Sequence, residues 1–140
     1  MISKRSLSVF LCLVFLAFPV AGSLAKKKPV SLPEKHYQEQ WCNKAQGQIE
    51  VVLPDKTRCD CLTATHAIEF DFGAKWAESI GQSLYYGLQT GKQPGVVLIL
   101  KKQKDYRYWL RLNSTIQHYK LPIDTWMIKG FSHERNNQHK

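Results

Sequence analysis

Three carboxylic acids lie inside segments whose other residues are typical of β-strands. Asp60 stands in the middle of residues 57–63, and Glu69 and Asp71 alternate with apolar residues in residues 66–72. Charged residues are disfavoured within strands, and like charges held close together repel one another. A divalent cation is the natural compensating partner, and an all-oxygen ligand set suits Mg²⁺ or Mn²⁺. This pattern predicts a metal site on a sheet.

A solvated sheet face is the alternative interpretation of the same acids. In that case Glu69 and Asp71 point at water on one face of a strand, because residues two apart on a strand share a face. Arg58 then pairs with Asp60. In a meander of antiparallel strands Asp60 can pair close to Glu69.

The hydrophobic pattern around the acids predicts an α/β domain. We expect a first helix over residues 34–46, an antiparallel meander of strands over 48–53, 57–63 and 66–72, a helix over 74–90 and a buried strand over 95–100. The second helix then makes a right-handed crossover to a parallel strand. Alternation of apolar and polar residues predicts a further strand over 105–112, a short helix over 113–119 and a last strand over 123–128.

The second predicted helix carries two stripes of residues at helical spacing. Its expected apolar stripe comprises Ala77, Ile80, Leu84 and Leu88, and its polar stripe comprises Lys75, Glu78, Gln82 and Tyr86. By spacing alone, a solvated helix face explains the polar stripe as well as a functional site does.

The ordered block of acids, strands and helix resembles the PD-(D/E)xK nuclease superfamily. The resemblance rests on Asp60 followed after eight residues by Glu69-Phe70-Asp71, and on Ile80-Gly81-Gln82 with Tyr85-Tyr86 in the next helix. It covers residues 34–101. It implies a restriction-endonuclease-like αβββαβ core, here a mixed sheet flanked by helices with C-terminal strand additions, and Mg²⁺- or Mn²⁺-dependent hydrolysis of phosphodiester bonds.

The resemblance also implies roles for individual residues. The implied catalytic residues are Asp60, Glu69, Lys75 and Gln82; the implied metal ligands are Asp60, Glu69, Asp71 and Glu39; and Tyr85, Tyr86 and Glu78 are implied as supporting residues. Glu50 on the first predicted strand is a weaker candidate. The superfamily has a lysine where this chain has Asp71, and in some members the lysine lies on the following helix, at the place of Lys75. That departure favours a second hypothesis, in which the domain is catalytically inactive and binds nucleic acid or a protein partner.

Three cysteines follow residue 25, namely Cys42, Cys59 and Cys61. Cys59 and Cys61 are two apart on a predicted strand, so we expect them to share a face without bridging each other. A disulfide from Cys42 to either one, with one thiol left over, is the expected arrangement.

The N-terminus has the pattern of a secretory signal peptide. Lys4 and Arg5 precede an apolar run over residues 7–22, and small residues end the segment at Ala25. We therefore expect export to the periplasm or the medium, with no membrane span after cleavage, a basic arm over 26–33, one domain over 34–130 and a polar tail over 131–140. The formal charge of the 140-residue chain is +9, and +7 remains once Lys4 and Arg5 are removed.

A basic exported domain attracts polyanions such as nucleic acid, anionic lipid or acidic glycan. Together with the resemblance, the charge leads to the hypothesis of an exported, metal-dependent nuclease whose partner is nucleic acid, with DNA and RNA both open. An envelope-interaction domain is a third hypothesis, which only the basic arm favours.

Overall fold

The computed structural model describes residues 32–131. The signal peptide, nearly all of the basic arm and nearly all of the polar tail therefore lie outside the described residues. The described part is an α/β fold with one open, five-stranded mixed sheet flanked by helices.

The described chain contains three α-helices and five strands. They are α1 (Glu34–Lys44), β1 (Gln48–Val52), β2 (Arg58–Leu62), β3 (His66–Phe72), α2 (Trp76–Thr90), β4 (Gln93–Leu100), α3 (Tyr106–Tyr119) and β5 (Asp124–Lys129). Single 3₁₀ turns at Gly73–Lys75 and Gln103–Asp105 lead into α2 and α3.

The strands lie in the sheet in their sequence order. β1, β2 and β3 form the expected antiparallel meander, and β4 lies parallel to β3. β5 lies parallel to β4, with Gly95 opposite Asp124 at the start of the pairing. These pairings confirm the meander and the parallel neighbour predicted after α2.

Two apolar layers cover the sheet. On one face, α1 packs through Tyr37 and Cys42 against Ile68, Phe70 and Val97. On the other face, Val96, Leu98 and Leu100 of β4 pack with Leu112 and Ile116 of α3 and with partly buried residues of α2. The predicted burial of β4 on both faces is thus confirmed, because successive side chains of a strand point to opposite layers.

The predicted strand over residues 105–112 is wrong, because this segment forms the first half of α3. Its apolar residues alternate locally, but Trp109, Leu112 and Ile116 also recur at helical spacing. Those three positions contact the core, whereas Leu110, which the strand interpretation placed beside Leu112, is 54% exposed. The C-terminal addition is therefore one helix and one strand, and not two strands.

The predicted apolar stripe of α2 is also partly wrong. Ile80 and Leu84 pack on the core as expected, but Ala77 is exposed and Leu88 is 77% exposed. The small residues Ser79, Ser83 and Gly87 are buried instead, together with Tyr86. Small side chains let the helix lie close to the sheet, so its buried face is rotated towards positions that look polar in the sequence.

Among residues 32–131 no helix is both long and apolar enough to cross a membrane.

Candidate functional site

Asp60 lies where β2 separates from β3. The two strands pair at Cys61 with Ile68 and at Leu62 with Ala67, and no further pairing follows towards Asp60. At this level the Asp60 carboxylate replaces the missing strand partner, because its Oδ2 accepts a hydrogen bond from the backbone N–H of Phe70 at 2.9 Å. An acid in the middle of a strand thus occupies the gap between two diverging strands.

The side-chain alternation of β1 and β2 is broken at this level. Ile49 and its partner Cys61 pack in the layer below α1, whereas Val51 and its partner Cys59 pack with Tyr86 on the α2 face. Residues two apart on a regular strand share a face, so both strands change face between these pairs. Glu50, between them, has a left-handed φ of 57°, a conformation that costs a residue with a side chain about 1–3 kcal/mol and often marks a functional site.

The change of face in β2 determines which cysteine pairs with Cys42. Cys61 faces α1 and forms a disulfide with Cys42, whereas Cys59 faces the other layer as a buried free thiol. The expectation that Cys59 and Cys61 share a face is therefore wrong, and the open choice of bridge resolves to Cys42–Cys61. Burial raises the pKa of the Cys59 thiol to about 11, so this cysteine is a poor nucleophile.

Glu69 and Asp71 lie side by side on the α2 face of β3 and are buried. The two residues are 5% and 2% exposed, so a solvated sheet face does not explain them. Burial, together with the charges of Asp60 and Asp71, raises the pKa of Glu69 to about 9. Burial likewise raises the pKa of Asp60 and that of Asp71 to about 6.

The Asp60 and Glu69 carboxyl groups are near enough to share a hydrogen bond when one of them is protonated. The second oxygen of Glu69, Oε2, is buried and has no hydrogen-bond partner among the described residues. A buried polar atom without a partner is costly, so a proton, a water or a cation at Oε2 would stabilise the fold.

Two further acids from other elements act on this pair. The charges of Glu34, at the start of α1, and Glu50 both raise the pKa of Asp60, and burial followed by the charge of Asp71 raises the pKa of Glu34. We call Glu34, Glu50, Asp60, Glu69 and Asp71 the acid cluster. The sequence interpretation did not include Glu34, because an acid at the start of a helix is an ordinary feature that gives no signal of a site.

Gln38 of α1 connects the helix to both strands at the level of Asp60. It is 3% exposed, and its Nε2 donates to Glu50 Oε1 at 3.0 Å and to the Asp60 carbonyl oxygen at 2.8 Å. Arg58 pairs with Glu50 and not with Asp60. The sequence interpretation missed Gln38, because a buried glutamine is recognisable only once its two acceptors are known.

Lys75 follows the acid cluster on the turn before α2. Its Nζ lies 3.7 Å from Asp71 Oδ1, and its side chain is 59% exposed. The Asp71 carboxylate raises the pKa of Lys75, which keeps the ammonium charged. A solvent-accessible cation therefore stands at the rim of a buried group of acids.

The remaining predicted residues divide into those near the cluster and those away from it. Tyr86 is buried; burial raises its pKa to about 12, with Glu69 and Asp60 as nearby charges and Gln82 as a side-chain partner. Glu78 acts on Asp71 through its charge. Tyr85 instead donates to Asp55 in the turn after β1.

Glu39 is not brought to the cluster. It is 49% exposed, its carboxylate lies 3.9 Å from Lys35 Nζ, and it contributes to none of the pKa shifts of the other acids. On α1 it lies one residue past Gln38, which turns it away from the sheet. The structure therefore places Glu34 where the sequence interpretation expected Glu39.

The donor chemistry of the cluster fits a hard divalent cation. Within residues 32–131 no group of three or more His, Cys, Asp and Glu side chains is arranged to hold a metal ion. Mg²⁺, however, is commonly held by one or two carboxylates and keeps several waters. Asp60 and Glu69, with the unpartnered Oε2 of Glu69, supply that number of carboxylates.

Comparison of the chain with protein-family models, with curated proteins and with solved structures finds no match.

Proposed function

We propose that this protein is an exported, metal-dependent nuclease of the PD-(D/E)xK type. The observation that carries the proposal is the close pair of half-buried Asp60 and buried Glu69 at the point where β2 leaves β3, with Glu69 Oε2 unpartnered. Carboxyl groups this close and this shielded from water destabilise a fold unless a proton or a cation compensates them. A site that tolerates such a cost is a candidate for chemistry.

The order of the elements supports the same proposal. From α1 to β4 the chain runs helix, three antiparallel strands, helix and parallel strand, which agrees with the restriction-endonuclease-like αβββαβ core. The predicted acids lie on the second and third of those strands. The Cys42–Cys61 disulfide supports the proposed export, because disulfides persist in oxidising compartments.

Asp60 and Glu69 would hold the Mg²⁺ or Mn²⁺ ion, with Asp71 next to Glu69 on the same face. A bound ion of this kind polarises a phosphate oxygen and lowers the pKa of a coordinated water. The raised pKa of Glu69 means that the metal-free site holds a proton at neutral pH. That proton leaves when the carboxylate binds a cation, so the affinity for metal rises with pH.

Lys75 supplies the positive charge at the scissile phosphate. Asp71 lies 3.7 Å from its Nζ and orients it, while the exposed side chain reaches into solvent where a substrate approaches. A cation directed at the position where negative charge develops stabilises the transition state. Gln82, an exposed side-chain partner of Tyr86, would flank the α2 side of the same site.

An inactive nuclease-fold module that binds nucleic acid or a protein partner is the second candidate. The observation that favours it is Asp71, which stands where the superfamily has its lysine and which is 2% exposed. In that case the acid cluster holds protons and not metal, and Lys75 is only the partner of Asp71.

A cleavage assay with single-stranded and plasmid DNA and with RNA, in Mg²⁺, Mn²⁺ and EDTA, separates the candidates. We expect cleavage in metal, none in EDTA, and loss of cleavage in Asp60→Asn and Glu69→Gln. The matched control is Glu39→Gln, an exposed acid away from the cluster, which should cleave like the wild type. No cleavage by wild-type protein in either metal refutes the enzyme, and cleavage that survives both substitutions refutes the site.

A further inference from the structure

The loop after β4 and the start of α3 form a strongly basic surface beside the acid cluster. A pocket of about 220 Å³ is lined by Lys101, Lys102, Lys104 and Arg107 together with Phe72, Gly73, Ala74, Asp105 and Tyr108. Residues 72–74 connect Asp71 to Lys75, so this basic pocket directly adjoins the rim of the candidate site. Four cationic side chains therefore line one small pocket.

Of these four cations, Lys101 acts through its charge on Glu34 of the acid cluster. The salt bridges of the described residues involve none of the four. Asp105, the acid in the pocket wall, is 7% exposed, and its carboxylate accepts the backbone N–H of Lys101 at 3.1 Å. Lys101 Nζ lies 3.5 Å from the centre of the Phe72 ring. The pocket therefore keeps a net positive field, which suits phosphate groups.

Apolar and basic side chains continue side by side along α3. Tyr106 and Leu110, one turn apart, are 42% and 54% exposed, and Arg107 and Arg111, also one turn apart, are exposed beside them. We call Tyr106, Arg107, Leu110 and Arg111 the α3 face. The guanidinium groups of Arg107 and Arg111 lie over the Tyr108 ring, 4.7 and 5.7 Å from its centre. Tyr106 takes part in none of the ring or cation contacts found among residues 32–131.

We propose that the basic pocket and the α3 face bind single-stranded nucleic acid, with phosphates in the pocket and on the two arginines and a base against Tyr106 and Leu110. This inference deepens the proposed nuclease function, because it names the strand form that reaches the acid cluster. An unstacked base offers its flat face to an aromatic ring, whereas a duplex offers only base edges in its grooves. The exposed aromatic beside a row of cations therefore fits a single strand.

An anionic membrane surface fits this face less well. Helices that lie in a membrane interface bury a broad apolar face in the lipid. In α3 the broad apolar face, with Leu112 and Ile116, is buried in the protein core, and only Tyr106 and Leu110 remain outside near the cations. Two side chains provide a stacking surface for a base but little area for insertion into lipid.

Fluorescence anisotropy in EDTA tests the inference without any cleavage. The probes are a labelled oligothymidylate, a duplex of the same length, and vesicles containing phosphatidylglycerol. We expect the single strand to bind at least tenfold more tightly than the duplex, and Tyr106→Ala to weaken single-strand binding about tenfold with an unchanged salt slope. Replacing both Arg107 and Arg111 by Ala should reduce the salt slope by about 1.4, since each phosphate contact on a single strand contributes about 0.7.

Two matched controls are available. Tyr119→Ala removes a tyrosine that is 69% exposed at the other end of α3, and Lys35→Ala with Lys44→Ala removes two cations from α1. Both should bind the single strand like the wild type. Equal binding of duplex and single strand, equal loss in Tyr106→Ala and Tyr119→Ala, or binding of the vesicles alone would each overturn the inference. Normal single-strand binding without cleavage in metal would refute the proposed enzyme and leave this surface standing.

Discussion

The carboxylate of Asp60 accepts the backbone N–H of Phe70 at 2.9 Å, in the gap where β2 leaves β3. One side chain thus satisfies a main-chain donor that strand pairing no longer reaches, and it also brings its charge next to Glu69. A structural role and a chemical role meet in the same carboxyl group, so different substitutions should separate them.

Asp60→Asn and Asp60→Ala should differ in stability. The asparagine keeps an oxygen that can accept the Phe70 N–H, whereas alanine leaves that buried donor without a partner, at a cost of about 1–3 kcal/mol. Urea unfolding at pH 8 measures the difference. Both variants should lose cleavage equally. Equal free energies of unfolding for the two variants would show that the hydrogen bond contributes nothing to the fold.

The metal-free protein should become less stable as the pH rises from 5 to 8. Asp60, Glu69 and Asp71 all have pKa values raised by burial, to about 6, 9 and 6 respectively. Between the unfolded pKa near 4 and these folded values, the native state holds protons that the unfolded chain releases, so stability falls with rising pH. Thermal unfolding in EDTA across this range measures the trend.

Glu69→Gln should flatten that pH dependence. At pH 8 the variant avoids the buried, repelled carboxyl group, and we expect a gain of about 1–3 kcal/mol in the free energy of unfolding, while at pH 4 it should resemble the wild type. Glu39→Gln, on an exposed residue, is the matched control and should follow the wild-type curve. A Glu69→Gln curve parallel to the wild type at every pH would contradict the raised pKa.

Gly47 and Gly81 should respond in opposite directions to alanine. A Cβ at Gly47 would lie 2.7 Å from the sulfurs of both Cys42 and Cys61, whereas one at Gly81 would meet nothing within 4 Å. We expect Gly47→Ala to destabilise the protein by about 1–3 kcal/mol. Gly81→Ala, in α2, should stabilise it by about 0.5–1 kcal/mol. Melting temperatures of the oxidised proteins test both, and a tolerated Gly47→Ala would mean that the disulfide does not approach the chain so closely.

Lys75→Met should lower the rate of cleavage about 100-fold or more while leaving stability nearly unchanged. The side chain is 59% exposed, so its pairing with Asp71 contributes little to folding, whereas a cation at the developing charge is worth 10²–10³ in rate. Lys44→Met, on an exposed lysine at the end of α1, is the control. Single-turnover cleavage and chemical unfolding on the same samples distinguish the two effects. A full rate in Lys75→Met would remove this lysine from the mechanism.

Periodicity predicted the parts of the fold that are governed by local pattern. The meander from β1 to β3, the fully apolar β4 and the αL cap at Gly91, with a φ of 66°, follow from alternation, continuous hydrophobicity and glycine chemistry. α3 did not follow, because Tyr106 to Leu112 satisfy a strand pattern locally and a helix pattern only when Ile116 is included. The segment is a helix because that conformation buries its apolar residues against β4.

The candidate site likewise has residues that the sequence predicts and residues that it does not. The residue types and spacing of Asp60, Glu69 and Asp71 were sufficient to nominate them, because acids within strands stand out against the propensity of their neighbours. Glu34 and Gln38 could not be nominated, since an acid at a helix start and a single glutamine are ordinary features of a sequence. Only the packing of α1 over β1 and β2 shows that their side chains converge on Asp60.

The sequence by itself determined the order of the secondary-structure elements up to β4 and the presence of charges where a sheet disfavours them. The tertiary structure decided which acids meet, which cysteine pairs with Cys42, and that Glu39 stays in solvent while Glu34 approaches the cluster. For the cysteines the physical reason is the break at Glu50 and Asp60, where both strands change face. For the two glutamates it is the rotation of α1, which buries Gln38 and turns Glu39 outwards. The alternation of apolar and polar residues along a chain predicts a strand of regular period. A break in that period depends on contacts between residues that are distant in sequence, so the alternation does not predict it.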